Sequence, residues 1–136
     1  MSTITATTHT GAKDSFLRFA MRLDAVVSGL VGVVGVALAP RIAEMSGTTA
    51  ALEYSVGVFF VAYGVAVFAL SRMAHVRTPG IVVTVGNALF TVGAVAIVLA
   101  GIWPLTTTGV VLTLGSGVFT LVMADLQYLG VRRLRA

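Results

Sequence analysis

Residues 109–129 read GVVLTLGSGVFTLVMADLQYL. The run is apolar apart from hydroxyls, one amide and one carboxylate, Asp125. It is long enough to cross a hydrocarbon layer of ~30 Å as a helix, which takes roughly 17–25 residues. Membrane-spanning strands would instead alternate polar and apolar over about ten residues, and this run does not alternate. Three further runs of the same kind occupy residues 23–40, 54–71 and 80–103. The sequence therefore predicts an all-α transmembrane four-helix bundle. It forms one domain over residues 14–136, preceded by a disordered polar tail, residues 1–13.

Composition supports this class. Hydrophobic residues make up 57% of the chain and charged residues 10%, and mean hydropathy is +1.01. Soluble domains carry about 25% charged residues. A soluble chain of 136 residues could not hide so much apolar surface in one core.

The charges then orient the runs. Lys13, Arg18 and Arg22 precede the first run, Arg72 and Arg77 lie between the second and third, and Arg132, Arg133 and Arg135 follow the fourth. Arg41 lies on the other side. Short basic loops stay in the cytoplasm, so both termini are expected there, in a multi-pass protein of the cell (inner) membrane. This topology accounts for the high pI of 10.4 without nucleic acid. The partners expected are the lipid bilayer and a membrane-protein partner or second copies of the chain. Trp103, Tyr54 and Tyr128 stand at run ends, where aromatic belts form.

Chemistry-bearing residues are sparse. The chain has no cysteine, which excludes disulfides and thiol redox chemistry. His9 and His75 are far apart and lack clustered carboxylates, so no metal site of ordinary spacing arises. No phosphate-binding loop or dinucleotide fingerprint is present. No catalytic residue, cofactor or metal is expected, and an enzyme is disfavoured.

Polar residues inside a span are functional candidates by default. Asp24 follows Arg22 closely and is expected at the headgroup boundary. Asn87 and Asp125 fall deeper, in the half nearer the cytoplasm. The expected polar cluster comprises Asp125, Asn87, Arg132, Asp24, Arg22 and Arg77. In it, Asp125 pairs with an arginine and Asn87 adds a hydrogen bond. Glycines carry the packing. Gly29, Gly32 and Gly35 recur every three residues, with Ser28 four before Gly32, and small residues let helices approach closely in lipid. This row is expected to pack within the bundle, with dimerisation as the other option. In the fourth run Ser116, Thr120 and Ala124 form a stripe at a spacing of four. Thr78 and Pro79 suggest an N-cap followed by a first helical proline. A weak internal echo relates EYSVGVFFVAYGVAVFALSR to LGSGVFTLVMADLQYLGVRR, as a duplicated hairpin would.

RLDAVVSGLVGVVG, TVGNALFTVG and ADLQYLGVRR resemble stretches of small four-helix integral membrane proteins of actinobacteria and other bacteria. That group has no assigned activity and implies no site residues. Small multidrug-resistance transporters are similar in size but carry a glutamate deep in the first helix, which this chain lacks. Fluoride channels carry an asparagine in an apolar helix, as in VGNALFTVG, but also an arginine motif absent here. The expected function is therefore that of a structural or accessory subunit or modulator of a membrane assembly. The alternative is a small transporter or channel for an ion or apolar solute that uses Asp125 and Asn87.

Overall fold

The computed structural model describes residues 2–134, with side chains described from Lys13 onward. The expected disordered tail, residues 1–13, lies outside the described side chains except for Lys13, and Arg135 lies outside the described residues. The chain is all-helical: α1 (Ser2–Ala37), α2 (Ala39–Ser46), α3 (Ala50–Leu70), α4 (Arg77–Ala100) and α5 (Thr107–Arg133). Among the described residues, four segments are long and apolar enough to cross a membrane: Lys13–Ala37, Ala50–Leu70, Arg77–Ala100 and Thr107–Arg133.

These bounds correct the sequence reading in three places. The first segment, Lys13–Ala37 among the described residues, does not start near residue 23: α1 is continuous through Arg18 and Arg22 and ends at Ala37. Arg18 does not end it, because the guanidinium is fully used where it stands. Arg18 pairs with Asp14 at 3.2 Å and donates to the Ser71 and Met73 carbonyls at 2.7 Å and to that of Ala74 at 3.1 Å. It thereby caps the exposed carbonyls of the α3–α4 turn, as basic groups do at helix C-termini. The second correction is α2. Its backbone remains helical beyond Pro40, which sits in the first turn, where its missing N–H removes no helical hydrogen bond. Third, Thr78 is not an N-cap. The cap position is Val76, without a side-chain bond, so Pro79 lies in the first turn, where its missing N–H removes no helical hydrogen bond. Thr49 and Thr106 do cap, accepting from Leu52 N and Gly109 N.

Helices α1 and α3 pack as one pair and α4 and α5 as another, with α1 joining the two pairs along α5. The glycine row explains the first pair. A Cβ on Gly32 would lie 2.7 Å from both Gly57 O and Val61 N, and one on Gly64 would lie 2.6 Å from Ala25 O. The backbones therefore touch, and Gly32 packs within the bundle. Gly29 is different, since a Cβ there meets nothing within 4 Å. Of the Gly-Val-Phe triplet that each echoed run carries, the glycine is buried, Gly57 against α1 and Gly117 against α4.

The two ends of the bundle differ. At the end that carries the α1–α5 arginines, Leu17, Met21, Val67, Val76, Val83 and Val131 form a closed core. Leu17 fits against two glycines, Gly80 and Gly130. At the opposite end α2 folds under the α4–α5 turn, where Thr106 N donates to Ser46 O at 3.1 Å and the Thr106 hydroxyl to Met45 O. Gly109 must be glycine there, because a Cβ would lie 2.3 Å from Ser46 O. Gly109→Ala is expected to push α2 off the bundle. Faster proteolysis at Arg41 than in the parent would show it, and parental resistance would contradict it.

Candidate functional site

Four long helices meet at one carboxylate. Asp24, on α1, is fully buried. Its Oδ1 accepts from the Ser28 hydroxyl at 3.0 Å, one helical step away on α1. Its Oδ2 accepts from Tyr63 of α3 at 2.7 Å, Asn87 Nδ2 of α4 at 2.8 Å and Gln127 Nε2 of α5 at 2.9 Å. The amides also bond to each other, Asn87 Nδ2 to Gln127 Oε1 at 2.8 Å. Asn87 and Gln127 are 2% and 0% exposed.

No cation belongs to this cluster. Among the described residues the one ion pair is Asp14–Arg18. Arg22 is two residues from Asp24 in sequence, yet it is exposed and its Nε bonds the Ser71 hydroxyl at 3.3 Å. Four neutral donors surround the carboxylate instead. Burying a charge without a counter-ion is costly unless hydrogen bonds replace its hydration, and here they do.

The geometry also accommodates a proton. Tyr63 Oη lies 2.7 Å from Asp24 Oδ2 and 3.1 Å from Asn87 Oδ1. With Asp24 ionised, the tyrosine hydroxyl donates to it. With a proton on Oδ2, that proton is donated to Tyr63 Oη, and the tyrosine hydrogen turns to Asn87 Oδ1. The two states differ by one proton, and uptake of that proton at Oδ2 asks of the frame only a rotation of the Tyr63 O–H bond toward Asn87 Oδ1. A second polar layer sits one turn further along α4, where Thr91 Oγ1 bonds Gly117 O at 2.9 Å and Thr120 Oγ1 at 2.7 Å.

Of the expected cluster, the structure joins Asp24 and Asn87 and leaves out the rest. Asp125 is exposed on the outer face of α5 and makes no hydrogen bond or ion pair among the described residues. It is not the carboxylate that Asn87 contacts. Arg132 lies over the Tyr128 ring, 5.8 Å from its centroid. Arg77 and Arg132 line an open cavity of about 600 Å³ between α4 and α5. Arg22 reaches only the edge of the cluster, through Ser71. Asp24 was expected at the hydrated boundary and is instead sealed. Tyr63, Ser28 and Gln127 were missed as its partners.

Directly above the cluster the bundle opens. Phe60 of α3 and Phe90 of α4 meet with centroids 5.5 Å apart. Each stands three residues, less than one turn, from Tyr63 and Asn87 respectively. On their other side a cavity of about 430 Å³ runs between α2, α3, α4 and α5.

No protein-family model, curated protein or solved structure matches this chain.

Proposed function

We propose that this chain is a multi-pass plasma-membrane protein with four spans and both termini in the cytoplasm. It acts as a small ion-coupled transporter or channel in which Asp24 takes up a proton or small cation. Four helices of spanning length and apolarity support the membrane reading. The basic residues Lys13, Arg18, Arg72, Arg77, Arg132 and Arg133, gathered at the end that holds the α3–α4 turn and the last turn of α5, support the orientation. Reporter fusions at Met1 and Ala136 should both give cytoplasmic signals. An external signal from either end overturns the topology.

The observation that carries the transport reading is the counter-ion-free carboxylate, buried where side chains of all four long helices converge. A purely structural clamp is served as well by asparagine, which carries no charge to desolvate. A carboxylate retained at such a place fits a group that changes its proton or ion occupancy. The test is reconstitution of the chain into liposomes under imposed proton, sodium or potassium gradients. Flux above protein-free liposomes is expected for at least one ion. Equal flux with and without protein removes the reading.

A second reading, that of an accessory subunit, is favoured by Asp125. In a membrane a carboxylate on an outer helix face costs about 2.5–3.5 kcal/mol at the helix centre and less toward the interface. A basic residue on a partner's membrane helix offsets that cost. Asp125→Leu is then expected to leave the melting temperature of the isolated chain unchanged and to abolish co-purification of a stoichiometric partner in mild detergent. The same partner retained at parental yield by Asp125→Leu would refute the assignment.

A further inference from the structure

We infer that the cavity above the Phe60–Phe90 pair binds an amphiphilic amine, a protonated amino group on an apolar body. The inference needs the four long helices to be spans, and it stands whether or not Asp24 supports transport.

Three observations define the ligand. First, the walls are apolar and aromatic: Phe59, Phe60, Phe90 and Trp103 line a space of about 430 Å³, within the size of drug-like ligand pockets. Such rings accept an apolar body, and their faces attract a cation. Second, the carboxylate among the lining residues is Glu53, and no basic residue lines the same space. The Thr48 hydroxyl donates to Glu53 Oε2 at 2.5 Å, and Glu53 sits in the first turn of α3, where a helix favours an acidic group. These hold the side chain in place, and no ion pair with Glu53 occurs among the described residues. Third, Ser46 also lines the cavity. It is 3% exposed, and its Oγ is a buried side-chain polar atom without a hydrogen-bond partner. Buried hydroxyls are ordinarily satisfied. An ammonium supplies N–H donors to the glutamate, which a neutral alkyl chain cannot, and the same lining residues include in Ser46 Oγ an acceptor without another partner.

The position suits such a molecule. The cavity lies at the end opposite the arginines of α1, α4 and α5; Arg41 of α2 is at the same end but does not line it. Two closed layers separate it from the basic end: the aromatic pair and the Asp24 cluster.

Trp103 is the sole tryptophan of the chain, so its emission reports on this site. The experiment titrates the full chain in lipid nanodiscs with decylamine and, in parallel, with decanol. Decylamine should change Trp103 emission saturably. Glu53→Gln should weaken decylamine by about tenfold or more, the value of a charge-assisted hydrogen bond, and leave decanol unaltered. Ser46→Ala should weaken decylamine several-fold. Gly93→Leu is the blocking variant. Gly93 lines the cavity, and a Cβ there meets nothing within 4 Å, so the added side chain fills the space without displacing a helix. It should abolish the response to decylamine while the melting temperature stays parental. The inference fails if decylamine and decanol bind equally and Glu53→Gln changes neither, which marks a groove for any acyl chain. It fails equally if the decylamine response survives in a normally melting Gly93→Leu. Absence of ion flux in liposomes would sink the transport reading and leave these titrations untouched.

Discussion

Asp24→Leu is expected to destabilise the bundle by about 2–4 kcal/mol, the cost of stranding buried donors that an apolar residue cannot accept. Tyr63 has another acceptor, Asn87 Oδ1 at 3.1 Å, and the Ser28 hydroxyl can turn to a main-chain carbonyl of the preceding turn, as helical serines do. Gln127 Nε2 and one N–H of Asn87 lose theirs, since both bond Asp24 Oδ2. These amides are sealed from water, so they cannot recover by hydration. Asp24→Asn gives the contrast. Its Oδ1 still accepts from the amides and from Tyr63, and its Nδ2 donates to Ser28. A loss of about 1 kcal/mol or less follows, in line with interhelical hydrogen bonds in membranes.

The pair of variants separates clamp from carrier. Asparagine keeps the hydrogen-bond frame and cannot exchange a proton. Under the transport reading, Asp24→Asn melts close to the parent and has no ion flux. Parental flux in Asp24→Asn would leave the cluster with a structural part alone. Equal melting of Asp24→Leu and Asp24→Asn in detergent would contradict the claim that the amides depend on this carboxylate.

Much of this was legible in the chain, and the failures have identifiable causes. Long apolar runs and the placement of arginines carry helix number and order with little ambiguity, because the bilayer fixes span length. Burial was harder. Arg22 looks like a boundary marker, yet α1 is continuous through it, and Leu17 and Met21 before it are fully buried. The guanidinium of Arg18 is satisfied by the turn carbonyls that α3 presents. No local pattern announces that long-range arrangement, so Asp24 was expected to be hydrated although the bundle buries it. Helix facing was legible in a signal not followed far enough. Ser28 and Gly32 are four apart on the close-contact face of α1, and Asp24 is four before Ser28. The same holds on α5, where Gly117, Thr120, Ala124, Gln127 and Val131 form the buried stripe. Asp125 follows Ala124 by one residue, which turns it about 100° away. Small-residue stripes thus select Asp24 and Gln127 as inward and Asp125 as outward. The meeting of Tyr63 with both Asp24 and Asn87 depends on how the two hairpins are set against each other, and no periodicity within one helix encodes that.

Gly32→Leu is expected to be the most disruptive change on α1, at several kcal/mol. The cause is contact with backbone rather than with movable side chains. The first added carbon already lies 2.7 Å from Gly57 O and Val61 N, and neither can move unless α3 moves as a whole. Overpacking a well-packed interface by extra methylenes costs about 1–3 kcal/mol. Leucine adds more of them at a place with no free volume. Displacing α3 also draws Tyr63 away from Asp24, because both contacts lie on the same α1–α3 interface. Gly29→Ala is the internal control, since a Cβ there meets nothing within 4 Å, and alanine is the better helix former by about 1 kcal/mol. Thermal melts in one detergent should therefore order the proteins as Gly29→Ala at or above the parent, with Gly32→Leu far below it. If Gly32→Leu melts like the parent, the α1–α3 contact is not where the structure places it. The convergence of four helices on Asp24, which that contact positions, falls with it.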